Sequence, residues 1–411
     1  LLCVDMGGTS YDMSLVLDGQ APAEAGWNMH HRYLIGVPMV KVETLGAGGG
    51  SICHVHAGAL QVGPRSAGSE PGPIAYGRGG TEPTVTDALV MLGILSTDEG
   101  FAGGSFRLTR SGVEEAFAAI GAQMGNGSGR EGAEQAAFDC WRVVNANMSQ
   151  GVRRTTAGKG IDPKNLVMLA YGGNGPAFAA IQAEDLGITR VLVPKASPTF
   201  SALGTLVADP AIDEERSLIT PANALDLDKL RAMWTELADR AERYFTQAGF
   251  AKAQVKASYR VNMRYPGQNF SLTFEIAPEG ALGDLSFVDD GLGARAIAAF
   301  NARHMAEYNH IRDHEVPEVT GVRLASHVVT PSPSAAGGSA SRAASPGPAK
   351  TRRANLGAGF GEVPVYLGQD LAPGHVVPSP AIIEEVFTTI VVYPGWQAQV
   401  DAAGDYELVK T

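Results

Sequence analysis

Long apolar runs are missing from this 411-residue chain. No stretch approaches the roughly 20 residues that span a bilayer, which argues against a membrane-spanning helix. Cysteine is scarce: Cys3, Cys53 and Cys140 are odd in number, scattered and without CxxC spacing. That usage fits a reducing cytoplasm better than a disulfide framework. Positive charge is also in short supply, with 32 basic against 43 acidic residues and a net charge of −11. The imbalance argues against nucleic acid or an anionic membrane as a partner. A GxxxxGK[ST] phosphate loop, a GxSxG elbow and a Ser/His/Asp order are absent, so a P-loop NTPase and a serine hydrolase are set aside. No internal repeat at solenoid spacing is present.

What is there is an ordinary globular composition, 45% hydrophobic and 18% charged, long enough for two or three cores. The 51 glycines cluster, marking tight turns and close backbone approaches. The chain opens at Leu1-Leu2-Cys3-Val4 inside an apolar strand, which predicts a fragment of a longer protein or the product of a truncated reading frame.

Strands are expected over 1–4 and 13–17, joined by Asp5-Met6-Gly7-Gly8-Thr9-Ser10-Tyr11-Asp12. Residues 41–80 read as a glycine-rich irregular stretch, followed by a helix from about Asp87 capped by Thr86. Residues 96–132 form an excursion, and 133–156 a helix with a basic end. A strand over 165–169, the turn Tyr171-Gly172-Gly173-Asn174-Gly175-Pro176, a helix over 177–186 and a strand over 190–193 make a βαβ unit and imply a parallel sheet. Residues 226–249 spell an amphipathic helix with Leu230, Met233, Leu237, Ala241 and Tyr244 on its apolar face. Beyond it come strands around a helix over 294–308, a Pro/Ser/Ala/Gly tract over 331–350, and a tail of short strands. The expected domains are 1–215, an α+β region 216–330, a linker or loop 331–358 and a small β module 359–411.

Chemistry concentrates at the glycine bends. In Asp5-Met6-Gly7-Gly8-Thr9-Ser10, adjacent glycines let backbone N–H groups converge on phosphate oxygens, because no Cβ blocks the approach. Asp5 can hold Mg²⁺ through water or orient a nucleophile, and Thr9 adds a hydroxyl; the same residues also suit a plain hairpin turn. Asp12 needs a partner or a metal on entering an apolar strand, unless it serves as an Asx turn residue. The helix after Gly172, Gly173 and Gly175 offers free N–H groups to phosphate or ribose, where a tight βα turn is the commoner reading. Gly48, Gly49 and Gly50 form a ribbon that could line the same cleft, while Asp87 reads as a helix cap. His30, His31, His54 and His56 lack a carboxylate or thiolate to complete a metal site, and His304, His310 and His314 read as surface or capping groups.

Taken in order, these motifs resemble the hydantoinase A/5-oxoprolinase family. The resemblance runs through residues 5–12, Gly46-Ala47-Gly48-Gly49-Gly50-Ser51-Ile52, Val62-Gly63-Pro64-Arg65-Ser66-Ala67-Gly68, Pro71-Gly72-Pro73 and Tyr76-Gly77-Arg78-Gly79-Gly80-Thr81. It continues through Pro83-Thr84-Val85-Thr86-Asp87-Ala88, the 171–176 turn, Ser201-Ala202-Leu203-Gly204, Arg264-Tyr265-Pro266-Gly267-Gln268 and Ile383-Glu384-Glu385. Block 46–88 is its most specific part.

The resemblance implies an α/β, actin-like (ribonuclease-H-like) ATPase half with an additional α+β region and a small β C-terminal region. It implies ATP and Mg²⁺ as cofactors, with Asp5 and Asp12 organising Mg²⁺ and the reacting water or substrate. Gly7, Gly8, Thr9 and Ser10 would then cradle phosphate, and Gly172, Gly173 and Gly175 would approach the nucleoside or its phosphates. The family's first phosphate hairpin has no counterpart here. The implied activity is ATP-dependent opening of a cyclic amide, with a ketone carboxylase subunit or a non-catalytic assembly subunit as alternatives. A B-type subunit or domain is the implied partner, in an oligomer of cytoplasmic location. Tyr11, His56 and Phe178 depart from the family's usual residues, Phe178 standing where a histidine is common.

Overall fold

The computed structural model describes residues 1–411 except 22, 25–26, 29–32, 35–38, 99, 101–103 and 332–344, with only the backbone of 23–24, 27–28 and 33–34 described. His30, His31 and residues 332–344 of the expected linker therefore lie outside the described residues. The chain divides into two compact units, one of residues 1–25, 39–204 and 334–411, the other of 26–38 and 205–333.

The first unit is built on an eight-stranded sheet. Its strands are β1 (Leu2–Met6), β2 (Tyr11–Leu15), β3 (Glu43–Leu45), β4 (Met168–Tyr171), β5 (Arg190–Val193), β6 (Val376–Pro378), β7 (Trp396–Val400) and β8 (Tyr406–Lys410). They lie in the order β6-β7-β8-β5-β4-β1-β2-β3. The βαβ expectation holds at the centre, where β1, β4 and β5 run parallel. The sheet as a whole is mixed, because antiparallel strands flank the parallel centre on both sides. Leu2, Val4, Met6, Tyr11, Met13, Leu15, Met168 and Ala170 are buried on one face. That strict alternation fixes the register, since a one-residue slip would turn every apolar side chain outward.

Unit one also holds helices α1 (Val85–Met91), α2 (Val113–Gln123), α3 (Arg130–Ala157) and α4 (Gly175–Leu186). The alanines of α4 (Ala177, Ala179, Ala180 and Ala183) are all buried and allow close approach to the sheet. Phe178 is buried among them, so the departure at this position places an apolar group in the core. The excursion 96–132 contains α2, and the glycine-rich stretch 41–80 contains a hairpin of Ser51–His56 with Ala59–Ser66. Its turn at Ala57-Gly58 has positive φ at both residues (49° and 78°), the twist a two-residue hairpin needs.

The tail expected as a small β module at 359–411 contributes to two sheets: β6, β7 and β8 extend the large sheet, while Lys350–Asn355, Phe360–Leu367, Ala381–Glu384 and Thr389–Val392 form a four-stranded sheet in the same unit. Lys350–Asn355, inside the expected linker, is a strand because Phe360–Leu367 supplies its hydrogen bonds. The three cysteines are free and buried.

A short helix, α5, spans Phe200–Val207. The second unit packs α6 (Leu227–Gln247) and α7 (Leu292–Tyr308) against an antiparallel sheet containing Ala211–Pro221, Val255–Arg264, Leu272–Glu275, Gly280–Ala281 and Glu318–Val328. The buried stripe of α6 is Leu230, Trp234, Leu237, Ala238, Ala241 and Phe245; Tyr244, expected on it, is 41% exposed. His304 is a second correction. It is 1% exposed, hydrogen-bonded to the His310 carbonyl and Gln268, and packed on Tyr265. Around it the Arg264–Gln268 motif ties itself together: Arg264 pairs with Glu318, and the Tyr265 amide donates to the Gln268 side chain. No helix among the described residues is long and apolar enough to cross a membrane.

Candidate functional site

Two bends far apart in sequence meet at one end of the central strands. The hairpin between β1 and β2 closes through the Gly7 amide and the Ser10 carbonyl at 3.2 Å. At its exposed corner the amides of Gly8 and Thr9 have no acceptor among the described residues, and the Cβ positions of Gly7 and Gly8 face open space. The second bend follows β4. Asn174 donates its amide to the Met6 carbonyl at 2.9 Å and its side-chain nitrogen to the Gly7 carbonyl at 3.3 Å.

Gly172 must be glycine on two counts. Its φ is +83°, and a Cβ there would lie 2.3 Å from Asp5 Oδ1 and 2.5 Å from the Met6 carbonyl. Ser197 clasps it on both sides, accepting from its amide and donating to its carbonyl, each at 3.0 Å. Gly173 is exposed with open space around it, and Gly175 begins α4.

The carboxylates share one face. Asp5 and Asp12 are register partners across β1 and β2, so both side chains leave the sheet on the same side, opposite the buried Val4 and Met13. Asp12 is not a turn residue; β2 begins at Tyr11, and Asp12 accepts from Ser10 Oγ at 2.8 Å and Thr44 Oγ1 at 2.6 Å. Asp5 Oδ2 accepts from Ser201 Oγ at 2.7 Å. Tyr171 is paired in register with Asp5, and its ring packs against Phe200. Burial, with Cys3, Asp5 and Asp12 nearby, pushes its hydroxyl up to about 12, so it stays protonated at neutral pH.

Gly48, Gly49 and Gly50 lie directly against the Gly7–Thr9 hairpin. Their amides donate to Ser51 Oγ (2.8 Å), the Gly7 carbonyl (3.0 Å) and the Gly8 carbonyl (2.6 Å), so none is left for a phosphate. The ribbon braces the hairpin, and a Cβ on Gly48 would sit 2.7 Å from its backbone. The Gly49 carbonyl in turn accepts from the Thr86 amide at 2.7 Å, at the start of α1. That helix is capped by Thr84, not Thr86: Thr84 and Asp87 form a capping box two residues earlier than expected, confirming Asp87 as a cap. Buried Asp87 also accepts from the amides of Ile74 and Ala75, fixing the loop before the helix. Burial raises its pKa while these hydrogen bonds oppose the rise.

Ser66, Thr44, Ser197 and Ser201 escaped the reading of the sequence as site residues. Ser201 lies 196 positions from Asp5, and no local pattern announces such a pair. Ser66 Oγ lies 3.3 Å from Thr9 Oγ1 and borders a cavity of about 500 Å³ lined also by Ile52, Arg65, Gly72, Gly80 and Glu82. His54 and His56 lie on one strand, and among the described residues no cluster of three His, Cys, Asp or Glu could cage a metal ion.

The donor set fits an anionic phosphate chain: two open glycine positions, two unpartnered corner amides, a threonine hydroxyl and a helix start. Two carboxylates without a third protein ligand fit Mg²⁺, which keeps water and phosphate among its ligands.

The family model described as hydantoinase/oxoprolinase matches residues 1–214, and that of the hydantoinase/oxoprolinase C-terminal domain matches residues 222–409. The alpha subunit of caprolactamase from Pseudomonas jessenii is 34% identical over 99% of this chain and 58% of its own length. The nucleotide-free structure of an acetone carboxylase, from work on ATP-dependent acetone carboxylation, superposes with a TM-score of 0.82 at 27% identity. The crystal structure of the ATP-dependent caprolactamase of P. jessenii does so with a TM-score of 0.76 at 33% identity. Each likeness covers all of this chain and 58% of the other. The chain thus spans somewhat over half the length of these relatives.

Proposed function

Because the chain belongs to the hydantoinase/oxoprolinase family, we propose that it is the nucleotide-handling part of an ATP-dependent hydrolase that phosphorylates a cyclic amide or imide to open its ring. The observation that carries this reading is the meeting of the Gly7–Gly8 and Gly172–Gly175 bends beside two carboxylates on one sheet face. In it the eight-stranded sheet is the core of one half of an actin-like ATPase.

The corner amides of Gly8 and Thr9 and the Thr9 hydroxyl hold phosphate oxygens, and the start of α4 adds partial positive charge. Asp5, oriented by Ser201, and Asp12, held by Ser10 and Thr44, are the carboxylates that would hold Mg²⁺, and they orient the attacking oxygen. Bound Mg²⁺ would supply neutralisation of phosphate charge. Phosphorylating the amide oxygen, with release of ADP, activates its carbon: one water adds there and the C–N bond breaks as the ring nitrogen takes up a proton, leaving an acyl phosphate that a second water hydrolyses to carboxylate and phosphate. A B-type subunit or domain is its partner in this reading, and the free thiols suit a cytoplasmic setting.

A second reading, a subunit of an ATP-dependent ketone carboxylase, draws on the likeness to acetone carboxylase. The test is ATP hydrolysis by the full-length protein with its partner, stimulated either by lactams and hydantoins or by ketones plus bicarbonate. Asp5→Asn should lower the stimulated rate at least about 100-fold with the fold intact. Undiminished turnover in that variant would remove Asp5 from the site.

A further inference from the structure

The turn joining Ala381–Glu384 to Thr389–Val392 belongs to the first unit and has no part in the site described so far. It closes through the Glu385 amide and the Thr388 carbonyl at 3.0 Å, and the Tyr406 hydroxyl donates to the Glu385 carboxylate at its base. Thr388, 2% exposed, donates its hydroxyl to the Gly173 carbonyl at 2.9 Å. The turn is thus pinned onto the glycine bend. Yet its two tip residues, Val386 and Phe387, are 49% and 58% exposed. An anchored turn that holds an aromatic ring in water next to a proposed ligand site asks for a function.

The connections run in one order. The Gly8–Thr9 corner is joined through Asn174 to the Gly172–Gly173 bend, and Gly173 is joined through Thr388 to the apolar tip. Phosphate-binding groups, a glycine bend with room beside Gly173, and an aromatic tip follow one another. A nucleoside triphosphate has the same sequence of parts: charged phosphates, ribose, flat base. We propose that Phe387, with Val386 beside it, is the surface on which the base of the bound nucleotide stacks. The proposal rests on the nucleotide reading above. Stacking uses the π-face that all bases share, so it adds affinity for nucleotide over bare triphosphate while discriminating little between ATP and GTP.

The experiment is calorimetric titration of the full-length protein with ATP and, as a base-free probe, with tripolyphosphate. Wild type should bind ATP more tightly than tripolyphosphate. Phe387→Ser should weaken ATP about tenfold and leave tripolyphosphate unchanged, while Phe387→Trp retains wild-type affinity for ATP. An unchanged ATP affinity in Phe387→Ser overturns the stacking role and leaves the nucleotide site standing; the tip is then a surface for another protein. Equal weakening of both ligands also overturns it, because the turn would be acting on the bend and not on the base. If wild type binds neither ligand, the nucleotide reading fails and this one with it.

Discussion

The side chain of Asn174 reaches 3.3 Å to the carbonyl of Gly7, across 167 positions of sequence, and holds two glycine bends together. Its own amide adds a second bond to Met6, so the join has both a backbone and a side-chain component. Only the side-chain part can be removed by mutation. Asn174→Ala should cost about 1 kcal/mol of stability and weaken ATP binding several-fold, as titration and thermal unfolding would register. Wild-type affinity in this variant would mean that the backbone bond alone sets the spacing.

Gly172→Ala should be far more harmful than its size suggests. The φ of +83° disfavours any Cβ by about 1–2 kcal/mol, and the new carbon would displace the Asp5 carboxylate. Loss of ATPase activity is expected together with a lowered melting temperature. Gly173→Ala, where the same space is open, is the control that should melt near wild type.

The capping box at α1 bears on the site from a distance. Asp87→Ala leaves the amides of Ile74, Ala75 and Thr84 without their acceptor in a buried place, a loss on the order of 3 kcal/mol. Thr84→Ala removes the hydroxyl that accepts from the Asp87 amide and donates to its carboxylate, and should cost about 1 kcal/mol. Denaturant unfolding ranks the two; equal costs would show that the bonds to the 74–75 loop contribute nothing.

Acid should loosen the link between α3 and strand Lys350–Asn355. Partial burial pushes the Glu134 pKa up, but hydrogen bonds from Arg353 and Arg130 outweigh it, and the net shift is downward. A carboxyl depressed in the folded state contributes stability above its ordinary value of 4.5 and loses it as the pH falls through the folded value. Wild type should therefore exceed Glu134→Gln by up to about 1 kcal/mol at pH 7, with the gap closing below pH 4.5. A gap that stays constant down to pH 3 would contradict this account.

Much of the local structure was written in the sequence. Short apolar runs either side of a glycine turn placed β1 and β2, helical spacing placed α3 and α6, and the glycine turn before α4 announced the βαβ unit; ordered motifs pointed to the family. These are properties of neighbours in the chain, governed by periods of two and 3.6 residues. What only the folded chain decided was who meets whom. Ser201 reaches Asp5, Thr44 reaches Asp12, and the amides of Gly49 and Gly50 go to carbonyls of the hairpin. The tail likewise divided between two sheets, and His304 went into the core. Such outcomes depend on which strands become neighbours and which buried polar groups find each other, and a side chain's local sequence does not contain its distant partner.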